Sequence, residues 1–125
     1  MTGKRDTIIA VASGTGGAIA LIRLSGPTAI AIGDRIFTSV SGSPLSRSKG
    51  FTVHFGHIRN EADEIIDDVL VSLFRAPRSY TGEDMLEISC HGSTFIQREI
   101  LRLCIREGAR MAQGGEFIAC QMSMD

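Results

Sequence analysis

Hydrophobic residues concentrate first at positions 7–12 and 18–24, two short runs rich in Ile, Val and Leu. The stretch SGTGG separates them, which predicts two strands joined by a glycine loop as a hairpin or tight pair. Ser25-Gly26-Pro27 stops the second strand. Pro27 suits a first helical turn, where its missing N–H breaks no helix bond, and Ile30, Ile32, Ile36 and Phe37 predict a short amphipathic helix. Residues 38–49 are dominated by Ser, Gly and Pro and predict a surface loop. Across 51–59, Phe51, Val53 and Phe55 alternate with Thr52 and His54, and 69–74 is another β-rich run. The acidic turn 60–64 between them completes a second hairpin.

Residues 85–90 predict a half-buried strand, with Leu86, Ile88 and Cys90 on one face and Glu87 and Ser89 on the other. From Ser93 onward, Phe95, Ile96, Ile100, Leu103 and Cys104 recur at helical spacing, and Glu107 and Gly108 end the helix with a glycine cap. The order is ββαβββα. Strands gathered in runs with few intervening helices predict an α+β domain: a mixed, largely antiparallel sheet with two main helices packed on one face.

Composition fits this picture. Of 125 residues, 43% are hydrophobic and 22% charged, the balance of one soluble globular domain. Such a domain buries roughly two-thirds of its unfolded surface without needing a disulfide or metal. Thirteen Lys and Arg against fourteen Asp and Glu leave a charge of −1, which argues against a direct grip on nucleic-acid phosphates by this chain alone. The three cysteines, Cys90, Cys104 and Cys120, form no CxxC pair, as expected of a reducing cytoplasm, and Cys90 and Cys104 read as small core hydrophobes. Asp6, residues 13–17 and Arg23 interrupt the apolar N-terminal stretch, so neither a signal peptide nor a membrane span fits.

Several motifs invite chemistry. SGTGGA (13–18) lacks the Gly-Lys-Ser/Thr ending of a P-loop and reads as a tight turn, with no P-loop nucleotide site expected in this chain. His54 and His57 have an H-x-x-H spacing, but on a strand they point to opposite faces, and no metal site is expected. Cys90 and His91 are adjacent strand residues, so the thiol faces the core and no catalytic cysteine is expected.

The densest polar segment is RSYTGEDMLEISCHGS (78–93), with Tyr80, Glu83, Asp84, Glu87 and His91 around two glycines. Glu87 and His91 share a strand face, yet four residues separate them by roughly 13 Å, too far for a direct acid–base pair. The Glu87 carboxylate can accept two hydrogen bonds from the amino-pyrimidine edge of a pterin. It equally fits a solvated strand residue beside a TGED turn. Arg23 stands inside the apolar run IALIRLSG, where a long cation needs water, an acid or a ligand for its head; a salt-bridged strand arginine and an anchor for a polar ligand both satisfy that need.

Three segments, DTIIAVASGTGGAIALIRLSGP (6–27), APRSYTGEDMLEISCHG (76–92) and EGARMAQGGEF (107–117), closely resemble in order the amino-terminal domain of the tRNA modification GTPase family MnmE (TrmE). The resemblance implies a domain of residues 1–118 similar to the tetrahydrofolate-binding aminomethyltransferases, pairing as a homodimer and holding 5-formyltetrahydrofolate or another tetrahydrofolate derivative. It places the folate contacts on Arg23 and Glu87, with Tyr80, Glu83 and His91 shaping the pocket or dimer contact, and gives no residue a catalytic or metal-binding role. The full-length family adds a helical domain and a GTPase domain using GTP, Mg2+ and K+, and works in the cytoplasm with an MnmG-like FAD protein on the wobble uridine of tRNA. The alternative class is an autonomous folate-dependent aminomethyl transferase.

The resemblance also places a contacting lysine beyond Gly-Glu-Phe, where this sequence departs. Gly114 replaces the family's proline and Ile118 its threonine, and residues 119–125 read as an unmatched tail from truncation, a shifted frame or a vector.

Overall fold

The structure is a computed structural model and describes residues 6–13 and 17–117. Its core is one sheet of seven strands in the order β3-β4-β5-β6-β2-β1-β7. The strands are β1 (Ile8–Val11), β2 (Ile19–Ser25), β3 (Phe37–Ser39), β4 (Thr52–Arg59), β5 (Ile65–Phe74), β6 (Met85–His91) and β7 (Arg110–Met111). Every neighbouring pair is antiparallel except β1 and β7. The helices are α1 (Ala29–Ile36) and α2 (Thr94–Arg106). This is the expected α+β architecture.

Period-two alternation determines which side of the sheet is dry. Ala20, Ile22 and Leu24 on β2 lie opposite Cys90, Ile88 and Leu86 on β6, and Val71 and Leu73 on β5 face Ile88 and Leu86 from the other side. All are buried, and with Ile32, Ile36, Ile100, Leu103 and Cys104 of the helices they form the core. Fully burying a side chain of this size contributes about 1.5–3 kcal/mol, so the contiguous cluster supplies the main driving force. The intervening residues face the other way, onto a side that no helix covers: Val53, Phe55 and Leu70 there are 64%, 48% and 45% exposed.

Local signals set the helix ends. Ser93 caps α2, its Oγ accepting the Ile96 N–H at 3.3 Å, and Gly108 at φ +117° takes the left-handed turn that ends it. The loop after α1 is pinned by Asp34, whose carboxylate accepts the N–H groups of Leu45 and Ser46, and Leu45 itself is buried beneath a short 3-10 turn, Leu45–Arg47.

Four sequence expectations shift. Phe37 begins β3 rather than ending α1, and Thr38 and Ser39 pair with His57 and Gly56 instead of joining a surface loop. Strand β5 starts at Ile65, four residues before the β-rich run at 69–74, because the pairing with β4 continues through the acidic residues Asp67 and Asp68. Strand β7 adds to the sheet edge through two residues whose polar Arg110 gave no β pattern. Residues 14–16 of the glycine stretch and the tail at 119–125, including Cys120, lie outside the described residues.

Candidate functional site

The uncovered face of the sheet is organised in rows across strands. One row runs Ala10, Arg23, Glu87, Ser72, Val53; the next runs Leu21, Ser89, Leu70, Phe55. The first row is polar at its centre and the second mostly apolar.

Arg23 and Glu87 occupy directly opposed positions on β2 and β6, and Arg23 Nε donates to Glu87 Oε2 at 2.7 Å. Both side chains are about three-quarters shielded from water or more, which strengthens the attraction relative to a surface pair. The Arg23 guanidinium lies 4.6 Å from the centre of the Tyr80 ring, a cation–π contact. The other Glu87 oxygen accepts no hydrogen bond among the described residues. A carboxylate held this way offers an in-plane acceptor to a planar donor pair.

The segment 75–84 that carries Tyr80 folds over one end of this face. Ser25 and Met85 alternate onto the uncovered side, yet each is only 1% exposed, and Thr81 of the segment sits on Ser25. It is fastened by a hydroxyl pair, Ser25 Oγ and Thr81 Oγ1 at 2.7 Å, and by Gly26 N–H donating to the Asp84 carbonyl at 3.0 Å. Within it, Asp84 Oδ1 accepts the Ala76 N–H and the Glu83 carbonyl accepts Ser79 Oγ. Glu83 thus belongs to the wall of the site through its backbone.

The sequence-derived residues therefore divide. Arg23, Glu87 and Tyr80 come together directly. His91 does not join them; it ends β6 on the same face and bonds Asp67 through Nδ1 at 2.7 Å. Asp67 precedes the β-rich run at 69–74, so the strand pattern legible in the sequence does not reach it. Its signal was an acid at a position in phase with Val69, Val71 and Leu73.

The other motifs settle into structural places. His54 Nε2 meets Thr52 Oγ1 and His57 Nδ1 meets Asp68 Oδ1, on opposite faces of β4, and no cluster of three metal-ligating side chains exists among the described residues. Burial pushes the Cys90 thiol up to about 11 and the Cys104 thiol up to about 12, the state of core thiols rather than nucleophiles.

Comparison with known proteins adds the decisive fact. The family described as GTP-binding protein TrmE N-terminus matches residues 7–120. The chain belongs to this family. Among its relatives, it is 57% identical over 115 residues to the tRNA modification GTPase MnmE of Bacteroides fragilis, covering 91% of this chain and 24% of that protein. It is 52% identical over 113 residues to the MnmE of Flavobacterium psychrophilum, covering 90% and 24%, and 46% identical over 114 residues to that of Bacillus subtilis, covering 90% and 25%. The chain thus spans about a quarter of the length of the curated relatives it matches. Membership of the TrmE N-terminal family accords with the α+β architecture, and no described helix is long and apolar enough to cross a membrane.

Proposed function

We propose that this chain is the folate-binding and dimerisation module of a tRNA-modifying GTPase. The observation that carries the binding part is the Arg23–Glu87 pair, a half-buried ion pair on the uncovered sheet face with Tyr80 stacked over it. The pyrimidine edge of a tetrahydrofolate presents neighbouring N–H donors that match a carboxylate in one plane, and the adjoining row of Leu21, Ser89 and Leu70 offers an apolar floor for its rings. Arg23 steadies the carboxylate and offers its remaining guanidinium donors to the ligand's carbonyl or carboxylate groups.

The same face supports pairing with a second copy. Val53, Phe55 and Leu70 form an exposed apolar patch beside the charged row, and covering it by an identical face would both bury the patch and roof the ligand groove. The GTPase activity, its GTP, Mg2+ and K+, the flavoprotein partner, the tRNA and a cytoplasmic setting belong to this reading through the relatives, whose name is tRNA modification GTPase. In this role the chain binds and orients a one-carbon carrier and contributes no GTP site of its own.

Sedimentation velocity of the 125-residue chain tests the module. A dimer is expected, with saturable binding of 5-formyltetrahydrofolate, and Leu70→Glu should return the species to monomer. A monomer at all concentrations that binds no folate rejects the reading.

A further inference from the structure

The net charge of −1 conceals a separation of charge along the β4–β5 hairpin. Its turn carries Glu61, Asp63 and Glu64, followed by Asp67 and Asp68. The opposite end, where β4 begins and β5 ends, is flanked by two loops, one bearing Arg47 and Lys49 and the other Arg75 and Arg78. These loops lie side by side. Arg75 donates through Nε to the Ser48 carbonyl at 2.9 Å and through Nη2 to the carbonyls of Ser46 at 2.9 Å and Leu45 at 3.5 Å. A Cβ on Gly50 would lie 3.2 Å from the Arg75 backbone nitrogen.

All of those acceptors are neutral, so Arg75 is fixed in place while its charge meets no acid, and its Nη1 makes no hydrogen bond among the described residues. Arg47, Lys49 and Arg78 are exposed and form no ion pair among the described residues. The acids beside them are directed elsewhere: Asp34 accepts the N–H groups of Leu45 and Ser46, Asp84 accepts that of Ala76, and Glu83 has a partner of its own. The same loop also presents an aromatic ring. Phe51 follows Lys49-Gly50, is 66% exposed, and has φ at +59°, a left-handed conformation that is costly for any residue but glycine. Its N–H donates to the Leu73 carbonyl at 2.8 Å, and its ring meets that of Phe74 edge-on at 5.8 Å between centres. The backbone thus holds a large ring out beside the cations instead of burying it.

Resting on the reading of the chain as part of a tRNA-modifying protein, we propose that Arg47, Lys49, Arg75 and Arg78, together with Phe51, form a contact surface for an unpaired loop of RNA. Arg47 and Lys49 are two residues apart, at most about 7 Å between their Cα atoms, which suits neighbouring phosphates on one strand. Guanidinium groups match phosphate oxygens in pairs, and an exposed ring beside them takes the face of an unstacked base. An acidic peptide would use the charges and leave the ring idle. Four cations carry only weak binding, so the surface adds to a grip made elsewhere, in agreement with the net charge of −1.

Fluorescence anisotropy of an RNA hairpin with an unpaired loop, titrated with the 125-residue chain at a series of low salt concentrations, tests this. Saturable binding is expected, with an affinity that falls with salt at a slope of about −3 on logarithmic axes, about 0.7 for each of four phosphates neutralised. Arg47→Ala, Lys49→Ala and Arg78→Ala should each flatten the slope by about 0.7. Phe51→Ala should lower affinity at least about fivefold and leave the slope in place, as expected for loss of a stacked base. Arg98→Ala, at an exposed cation on α2, should change neither. The three cation variants lie outside the apolar patch of Val53, Phe55 and Leu70, so the slope is read independently of self-association.

A slope unchanged in all three cation variants overturns the proposal, as does equal affinity for the hairpin and for a fully paired RNA or a polyglutamate peptide. Absence of RNA binding at low salt overturns it as well. If the chain in that case still dimerises and binds 5-formyltetrahydrofolate, the module proposed above stands and only the RNA surface falls; if it does neither, that reading falls too.

Discussion

Arg23 and Glu87 face each other across the β2–β6 pair, and Arg23 Nε reaches Glu87 Oε2 at 2.7 Å on the uncovered side of the sheet. Each explains the other: an arginine within an apolar strand finds an acid, and on the folate reading proposed above the second oxygen of Glu87 takes the ligand. Removing Arg23 leaves a half-buried carboxylate without its partner. Arg23→Ala should therefore lower stability by about 1 kcal/mol, and the double variant with Glu87→Ala should cost less than the sum of the two single ones. Urea denaturation of the four proteins checks this, and additive losses would show that the pair is not coupled.

The core thiols give a prediction about alkaline pH. The folded-state value of Cys104 is raised from an ordinary 9.0 to about 12, first by burial and then by the nearby Glu107 charge. A raised value means the unfolded chain gives up its proton first as pH rises. The contribution of Cys104 to stability is thus complete below about 9 and is lost between about 9 and about 12. Melting temperature should fall less steeply over that range in Cys104→Ala than in the wild type, even though the variant is less stable at pH 7. Alkylation of Cys90 and Cys104 at pH 8 should require unfolding, as mass spectrometry of native and urea-treated protein can show.

Gly56 lies on the helix-facing side of β4, where a methyl group would run into the Thr38 carbonyl and the ring of Phe37. Backbone cannot give way as a flexible side chain can. Gly56→Ala should cost about 1–3 kcal/mol or more, while Gly42→Ala, with nothing near the added carbon but φ at +81°, isolates the cost of backbone conformation alone. Chemical denaturation of both variants measures the difference, and equal losses would contradict the steric account.

The turn after β4 is tied to α2 by charge. Arg102 bonds Glu61 through both terminal nitrogens and Glu99 as well, and Arg106 adds a third nitrogen to Glu61. The Arg102 hydrogen bond, above all, lowers the Glu61 carboxyl to about 2. A lowered value places the stabilising contribution above the ordinary value of 4.5 and removes it as pH falls toward about 2. The group is exposed, so the effect is small and screened. Glu61→Gln should lower the melting temperature by a few degrees at most at pH 7 in low salt, and the difference should vanish in 1 M salt or at pH 2.

The long periodic segments were legible in the sequence, and the reasons are visible. The alternation of 85–90 and the helical recurrence from Ser93 to Cys104 are imposed by burial on one face, and the structure puts that face against the core. What escaped was decided by tertiary pairing. Phe37 is apolar in phase with a helix, yet it opens β3 because β4 offers an edge. Asp67 and Asp68 disguise the first half of β5, since one acid is buried to hold His91 and the other meets His57 across the open face. Of the candidate site, Arg23 stood out as a cation inside an apolar strand and Glu87 as a carboxylate within the densest polar segment. The contact of Tyr80 with Arg23 depends on the fold of segment 75–84, which no local pattern announces.

The central claim is that Glu87 anchors a folate on this face. Titration of the purified chain and of Glu87→Ala with 5-formyltetrahydrofolate tests it most directly, with circular dichroism confirming that both are folded. Saturable binding by the wild type and a loss of at least about tenfold in the variant are predicted, the size expected when a charge-assisted hydrogen bond is removed. Binding of equal strength by the two proteins would contradict the account.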